Sequence, residues 1–355
     1  MKNISLITVN NPGLEAAEKT VEDLVRVNQD FKINIYHKSS KNPETRANYI
    51  KYSEIDEILD QAWQNSDAII WFTATGIVVR KIAGLINSKT IDPAILVINL
   101  SSTQVIPLLS GHIGGANELA QKLTEINPDL TSFITTATDS LNVFAFDNFA
   151  KKAGFEIGNI EKLAKISNSL INGHTINLVT YPKIFEYLKN EGLDGSKIEF
   201  HNCLNETNLV NNGYPTVILS PFNDTNQEVF KIRIRPIILG IGLNRDTPLE
   251  ELESDIKNFL NEYKLNFEDI KIIASFDAKK DEEALQLFSK KYKIELAFFD
   301  KDEINQLNQD FSKSKAEEFF NIKGVAEPTA VLAAPFKTLF IKKKVYKNTT
   351  IAAAF

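Results

Sequence analysis

The sequence has little of what several classes of protein depend on. Its 355 residues include one cysteine, Cys203, so no disulfide can form within the chain, and a reducing cytoplasmic setting fits. The four histidines are scattered without the spacing of metal ligands, so we predict no protein-held metal. No apolar run is long enough to span a bilayer, and the short apolar start lacks a signal-peptide cleavage site.

An excess of basic residues is also missing. The formal net charge is -6, whereas general nucleic-acid binders present a surplus of lysine and arginine. We therefore predict a cytoplasmic protein that binds a small molecule and has neither nucleic acid nor membrane as a partner.

Strand-like and helical patterns alternate from the amino terminus, as in "ISLITVN", "GLEAAEKTVEDLVRV" and "FKINIYH". This alternation is typical of βαβ units and predicts a Rossmann-like α/β domain with a parallel sheet. A polar turn at 101–103 predicts a hairpin from "AILVINL" into "QVIPLL".

Changes in composition predict three domains. Residues 1–136 form the N-terminal α/β domain, and residues 137–228 form a small α/β middle module or linker with shorter strands. Residues 229–355 form a separate α/β C-terminal domain that closes on "TLFIKKK" and "NTTIAAAF". We interpret "KIRIR" as an edge strand with one solvated face, and "IKKKVYK" as another solvated edge.

Three glycine-bearing loops follow predicted strands: "FTATGIVVRKIAG", "LLSGHIGGANE" and "ILGIGLNRDTPLEE". In open α/β sheets, ligands bind beyond the carboxyl ends of strands, where helix N-termini favour anions. We therefore expect an anionic ligand at these loops. The alternative for each is a tight turn, and no loop matches a nucleotide-binding fingerprint.

The second loop carries a histidine, His112, in a position where an imidazole can exchange a proton near neutral pH. Glu118 is a further candidate base, or a favourable partner of the helix dipole. Asn117 either contacts a substrate carbonyl or caps the helix. Ser110 is not in a nucleophile elbow, so covalent catalysis is disfavoured.

Arginine is rare here, with six residues against 34 lysines. Because arginine binds carboxylates in a planar, bidentate way, Arg80 and Arg245 beside glycine loops are candidate carboxylate clamps. Surface salt bridges are the alternative for both. Thr136 and Asp139 in "TTATDS" suit ligand contacts or a capping turn, and Glu327 in "GVAEPTAVLAA" is an acid, a base or a cap.

These segments resemble the CbiG family, the cobalt-precorrin-5A hydrolases of anaerobic cobalamin biosynthesis. The N-terminal resemblance runs through "TATGIVVRKIAGLINSKTIDPAILVIN", "VIPLLSGHIGGANELAQKL" and "ITTATD". The C-terminal resemblance lies in "ILGIGLNRDTPLEELE", "DAKKDEEAL", "IELAFFDKDEI", "GVAEPTAVLAA" and "TIAAAF". Nearly the whole chain is covered, and the middle least.

The resemblance implies a hydrolase acting on a carbon–carbon bond of a cobalt corrin precursor. Water opens a δ-lactone, and the C-20 carbon leaves with its methyl group as acetaldehyde, giving cobalt-precorrin-5B. No cofactor is implied, because the cobalt arrives in the substrate. Neighbouring enzymes of the same pathway are the implied partners.

The same resemblance suggests roles for the candidate residues. His112 or Glu118 would activate water, backbone N–H groups of 111–115 would hold the oxyanion, and Glu327 or Asp139 would assist the fragmentation. The implied substrate-binding residues are Thr75, Gly76, Arg80, Gly111, Gly114, Gly115, Asn117, Thr136, Asp139, Gly242 and Arg245. Two other readings stay open: a corrinoid-binding or handover protein without chemistry, and an enzyme acting on phosphate esters.

Overall fold

The strands form three β-sheets in the computed structural model, which describes residues 1–38, 46–88, 91–136, 141, 143–203, 212–222, 228–314 and 319–355. The chain divides into two compact units, Met1–Asn142 and Val143–Phe355. This α/β architecture, with mainly parallel sheets, confirms the predicted fold class. The domain borders predicted from the sequence stay predictions.

The first unit carries a seven-stranded sheet in the order β3-β2-β1-β4-β5-β6-β7. Its strands are β1 (Asn3–Thr8), β2 (Lys32–His37), β3 (Asn48–Lys51), β4 (Ala68–Phe72), β5 (Ala94–Ile98), β6 (Gln104–Leu109) and β7 (Thr131–Ser132). Its helices are α1 (Asn11–Val27), α2 (Asp56–Asn65), α3 (Thr75–Ile82) and α4 (Ala116–Ile126).

Helices on both faces of this sheet explain its apolar strands. Every residue of β4 and β5 is buried, as expected for central strands covered on both sides. Leu6 and Phe72 belong to the core cluster that includes residues of α1 and α4, and Trp71 belongs to a second cluster with residues of α2 and α3. Alternate residues along the strands thus supply the two cores.

The predicted hairpin is confirmed, and it reverses the chain direction within the sheet. Strands β1 to β5 are mutually parallel, whereas β6 is antiparallel to β5, with Ile98 opposite Val105 and Ile95 opposite Leu109. The carboxyl end of β6 therefore lies at the edge where the parallel strands begin.

The second unit contains two five-stranded sheets, ordered β10-β9-β11-β12-β8 and β15-β14-β13-β17-β16. The first consists of β8 (Glu156–Ile157), β9 (Ile176–Thr180), β10 (Ile198–Asn202), β11 (Thr216–Ser220) and β12 (Phe230–Arg233), with helices α5 (Phe146–Ala153), α6 (Leu163–Ile171) and α7 (Pro182–Asn190). The second consists of β13 (Ile237–Leu243), β14 (Ile270–Phe276), β15 (Glu295–Phe299), β16 (Leu339–Val345) and β17 (Thr349–Ala354), with helices α8 (Leu249–Tyr263), α9 (Glu283–Tyr292), α10 (Lys301–Gln306) and α11 (Ala326–Ala333).

The expectation of a solvated edge at "KIRIR" is wrong. Strand β12 lies between β11 and β8, and the Arg233 side chain is only 12% exposed. Its guanidinium contacts the carboxylates of Glu156 and Asp269, whose negative charges stabilise it where water would do so at an exposed edge. An alternating pattern therefore marks a buried ion pair here. The "IKKKVYK" segment does lie at an edge, because its first five residues belong to β16, the last strand of the sheet.

Among the helices of the described residues, none combines the length and apolar character needed to cross a bilayer.

Candidate active site

A glycine–histidine loop, residues 110–115, connects β6 to α4. Its backbone is folded by three hydrogen bonds: the N–H groups of Gly115, Ala116 and Asn117 donate to the carbonyls of residues 112, 110 and 111, at 3.0, 3.2 and 3.0 Å. Gly115 has a φ of 87°, in the left-handed region that glycine adopts at little cost, and α4 starts directly after it. The loop is therefore held by its own backbone.

Gly114 lets this loop close. A Cβ atom placed on Gly114 would lie 2.3 Å from Ser110 Cβ and 2.6 Å from the Ser110 carbonyl oxygen. Both distances are well inside van der Waals contact, so only glycine fits without moving the chain. The glycine here is required by a close approach of two backbone segments.

Asn117 joins the loop to the segment that follows β7. Its side chain is buried, and Nδ2 donates a 2.9 Å hydrogen bond to Thr136 Oγ1. The structure thus brings together two residues that lie 19 positions apart and that the sequence analysis had named separately as candidate ligand contacts. Asp139 lies outside the described residues.

The two candidate bases of the loop have different surroundings. His112 is half-buried in the loop itself. Glu118 is on the exposed first turn of α4, where it forms a 2.7 Å ion pair with Lys122. An exposed pair of this kind is screened by solvent and leaves the carboxylate hydrated.

The available backbone donors are fewer than the sequence suggested. The N–H of Gly115 is already bonded to the His112 carbonyl, so it is not free to hold an oxyanion. Within the described part of the chain, the N–H groups of Ile113 and Gly114 make no hydrogen bond. The N–H of Gly111 makes none there either, so these three are the donors that residues 111–115 can offer to a ligand.

Thr75 and Gly76 lie elsewhere in the first unit, in the first turn of α3. This helix follows β4 at the edge where the parallel strands end, whereas the glycine–histidine loop is at the opposite edge because β6 is reversed. Arg80 Nη1 donates a 2.8 Å hydrogen bond to the Gly76 carbonyl oxygen, so this guanidinium stays near the start of α3. The two glycine-bearing segments of this unit therefore lie at opposite edges of the sheet.

The remaining predicted residues belong to the second unit. Gly242 and Arg245 line a cavity of about 520 Å³ near the end of β13. Arg245 contacts two carboxylates, with Nη1 3.0 Å from Asp281 and Nε 3.2 Å from Glu282. Its charge is therefore already partly balanced.

Glu327 is buried at the start of α11, with 2% of its surface exposed. Its carboxylate accepts hydrogen bonds from the Ser312 N–H and hydroxyl, both at 2.7 Å, and from the Lys343 N–H at 2.8 Å. These bonds tie α11 to a preceding segment and to β16. Glu327 does not line the cavity of Gly242 and Arg245.

Ser110 is a feature that sequence reasoning did not foresee. It has a φ of 56°, uncommon for a residue with a side chain, and its buried hydroxyl makes no hydrogen bond within the described residues. Ser110 also approaches Gly114 closely, and no local sequence signal predicts this conformation. Elsewhere among the described residues, no group of three or more His, Cys, Asp or Glu side chains is placed to hold a metal ion.

Two family models match the chain in order. The family part described as Cobalamin synthesis G N-terminal matches residues 57–139, which include the glycine–histidine loop, and Cobalamin synthesis G C-terminus matches residues 237–354. The chain belongs to the CbiG family. The sequence resemblance is thereby confirmed.

The chain is similar to two relatives named for an activity. A cobalt-precorrin-5A hydrolase from Priestia megaterium is 28% identical over 99% of this chain and 94% of its own length. A second, from Salmonella typhimurium, is 31% identical over 63% of this chain and 64% of its own. A crystal structure of a cobalamin biosynthesis protein G homolog from Sulfolobus solfataricus aligns over 99% of this chain and 96% of its own, at 23% identity and a TM-score of 0.38.

Proposed function

We infer that this member of the CbiG family is a cobalt-precorrin-5A hydrolase. The observation that carries this conclusion is the similarity to the Priestia megaterium hydrolase along 99% of the chain. Both family parts are present in this chain, one in each compact unit. The activity follows from the hydrolase names of the relatives.

The reaction proposed is the hydrolysis of a lactone followed by a carbon–carbon cleavage. Water adds to the lactone carbonyl, the carbon–oxygen bond of the ring breaks, and a carboxylate and an alcohol at C-20 result. Loss of the alcohol proton then forms the carbonyl of acetaldehyde as the bond from C-20 to the macrocycle breaks. The electron pair of that bond stays with the macrocycle, which takes up a proton.

His112 is the general base in this proposal. It lies in the loop whose N–H groups of Gly111, Ile113 and Gly114, which make no hydrogen bond among the described residues, supply donors for the oxyanion. Glu118 is the alternative base, although its ion pair with Lys122 keeps it on the exposed helix face. A general base contributes about 10²- to 10⁴-fold to the rate of such a step.

The second proton transfer is assigned to Glu327 or Asp139. For Glu327, three accepted hydrogen bonds tie the carboxylate to neighbouring segments, so a structural contribution must be separated from a chemical one. The remaining residues of this proposal bind substrate: Thr75, Gly76, Arg80, Gly111, Gly114, Gly115, Asn117, Thr136, Gly242 and Arg245. Cobalt is part of the substrate, and no cofactor is proposed.

The cellular setting proposed is the cytoplasm. One cysteine suits a reducing compartment, and a corrinoid intermediate would pass between enzymes of the same pathway.

The test is an anaerobic incubation of the purified chain with cobalt-precorrin-5A. Acetaldehyde is followed by a coupled dehydrogenase, and the corrinoid is followed by absorbance. We expect catalytic release of acetaldehyde, with kcat lowered about 10²- to 10⁴-fold in His112→Ala. His174→Ala is the matched control, because this histidine is exposed in the second unit.

Two outcomes would contradict the proposal. Binding with a spectral change and no acetaldehyde would identify a corrinoid handover protein. Unchanged turnover in both His112→Ala and Glu118→Gln would remove the assignment of the base while leaving the hydrolase intact.

A further inference from the structure

The cavity of the second unit has the size of a small-molecule site. Its volume is about 520 Å³, within the range of about 300–1,000 Å³ that is usual for ligand pockets. Its walls come from the end of β13 and the residues after it, from the turn between β16 and β17, and from two segments that precede α11. The described residues of these four segments belong to one unit of the fold.

The wall of this cavity is strongly basic. The described residues that line it include no aspartate or glutamate, although the chain as a whole has a net charge of -6. The lining cations are Arg245, Lys279, Lys313, Lys343 and Lys347. The local charge is therefore opposite to that of the whole molecule and favours an anionic ligand.

Three of these cations are already engaged with the protein. Arg245 contacts Asp281 and Glu282, and Lys279 Nζ is 3.2 Å from a Glu282 oxygen. Lys343 Nζ donates to the backbone carbonyls of residues 312 and 313. These contacts hold the three side chains in place at the wall.

Lys313 and Lys347 differ from the other three. Both are exposed, and neither forms an ion pair or a side-chain hydrogen bond within the part of the chain that the structure describes. Two ammonium groups that have no partner among the described residues, at a cavity whose described lining includes no carboxylate, are suited to a ligand with at least two negative charges.

Exposed aromatic rings line the same cavity. Phe319 is 75% exposed and Phe320 is 45% exposed, and Phe320 packs edge-on against Phe276 with ring centroids 5.5 Å apart. A phenylalanine in water leaves a large apolar surface hydrated, so its burial by a ligand is favourable. The ligand indicated has a flat apolar surface as well as carboxylates.

We propose that this cavity binds the corrin substrate, with Lys313 and Lys347 contacting its peripheral carboxylates and Phe319 packing on the macrocycle. The identity of the macrocycle rests on the proposed function. The chemical class of the ligand, a planar polycarboxylate, follows from the lining residues.

The test compares two stable corrins as probes of the full-length chain. Cobyrinic acid carries free carboxylates, whereas cobinamide has the same macrocycle with amides in their place. We expect the wild-type chain to bind cobyrinic acid more tightly, as measured by absorbance titration at low salt. In Lys313→Ala/Lys347→Ala, the affinity for cobyrinic acid should fall about tenfold, and the affinity for cobinamide should not change.

The matched control is Lys342→Ala/Lys301→Ala. It removes the same charge from two exposed positions outside the cavity, so it should bind both probes as the wild type does. Phe319→Ala should weaken the binding of both corrins. Unchanged binding of cobyrinic acid in the cavity double variant would overturn the proposal, as would an equal loss in the control or no binding of cobyrinic acid to the wild type.

Turnover separates this inference from the hydrolase assignment. If acetaldehyde is released, the cavity double variant should raise KM several-fold while kcat stays within about twofold, since binding alone is affected. If acetaldehyde is never released but binding of cobyrinic acid still depends on the two lysines, the hydrolase assignment fails and the cavity stands. If the double variant turns over substrate with an unchanged KM, the assignment of the cavity as the substrate-binding site is refuted instead.

Discussion

Replacing Gly114 with alanine tests whether the glycine–histidine loop is closed as described. The new methyl group would lie 2.3 Å from Ser110 Cβ, where about 3.5 Å is needed, so the two segments must separate by more than about 1 Å. That movement also pulls on the Ser110 carbonyl, which accepts the 3.2 Å hydrogen bond from the Ala116 N–H at the start of α4.

The expected decrease in the free energy of unfolding is the sum of these two effects. Overpacking of a closed site costs about 1–3 kcal/mol, and the loss of one backbone hydrogen bond adds about 1 kcal/mol. With a urea dependence of about 2 kcal/mol per molar, the unfolding midpoint of the first unit should fall by about 1–2 M. Acetaldehyde release should fall as well, because His112 moves with the loop.

Tryptophan fluorescence is the suitable probe for this measurement. Both tryptophans of the chain, Trp63 and Trp71, belong to the first unit, so a urea titration followed by their emission reports that unit. Gly84→Ala is the control, since a Cβ added there has no atom within 4 Å. A Gly114→Ala midpoint equal to that of the wild type would refute the close approach and the loop geometry with it.

Two further predictions concern buried charge and buried hydroxyl groups. Arg233→Met should destabilise the second unit by about 3–5 kcal/mol in urea unfolding followed by circular dichroism, because Asp269 is then buried without its cation, and adding Asp269→Asn should recover part of the loss. An Arg233→Met variant as stable as the wild type would show that the pair is solvated. Burial, helped by the charge of Glu54, raises the pKa of Tyr52 to about 12. The free energy of unfolding that protonated Tyr52 contributes is therefore complete below about pH 10 and is lost as the pH rises through 12. Tyr52→Phe should make the alkaline fall in first-unit stability shallower by tryptophan fluorescence, and an unchanged fall would contradict this assignment.

The fold class was readable from local patterns because the period of apolar residues directly reflects secondary structure. The alternation of strand-like and helical patterns indicated a parallel sheet, and the polar turn at 101–103 indicated the hairpin. The "KIRIR" segment shows the limit of this reasoning. Alternation requires that the charged side chains of β12 be stabilised, and the carboxylates of Glu156 and Asp269 stabilise Arg233 as water would at an edge.

The candidate site was readable only in its parts. The sequence singled out the glycine–histidine loop, Thr136 and Arg245, and it identified the family from the order of short motifs. It did not single out Lys313 or Lys347, because lysines are abundant and "IKKKVYK" has the composition of any solvated edge. Their significance depends on which carboxylates lie near them, and that is a property of the folded chain.

The sequence alone therefore determined the succession of strands and helices, the positions of the glycine loops and the family, because each depends on residues that are neighbours along the chain. Tertiary structure decided which loops share an edge of a sheet and which charges remain without a partner. The reversal at β6 moved the glycine–histidine loop away from the loop that follows β4. Pairing with Asp281 and Glu282 balanced the charge of Arg245, whereas Lys313 and Lys347 form no ion pair within the described residues.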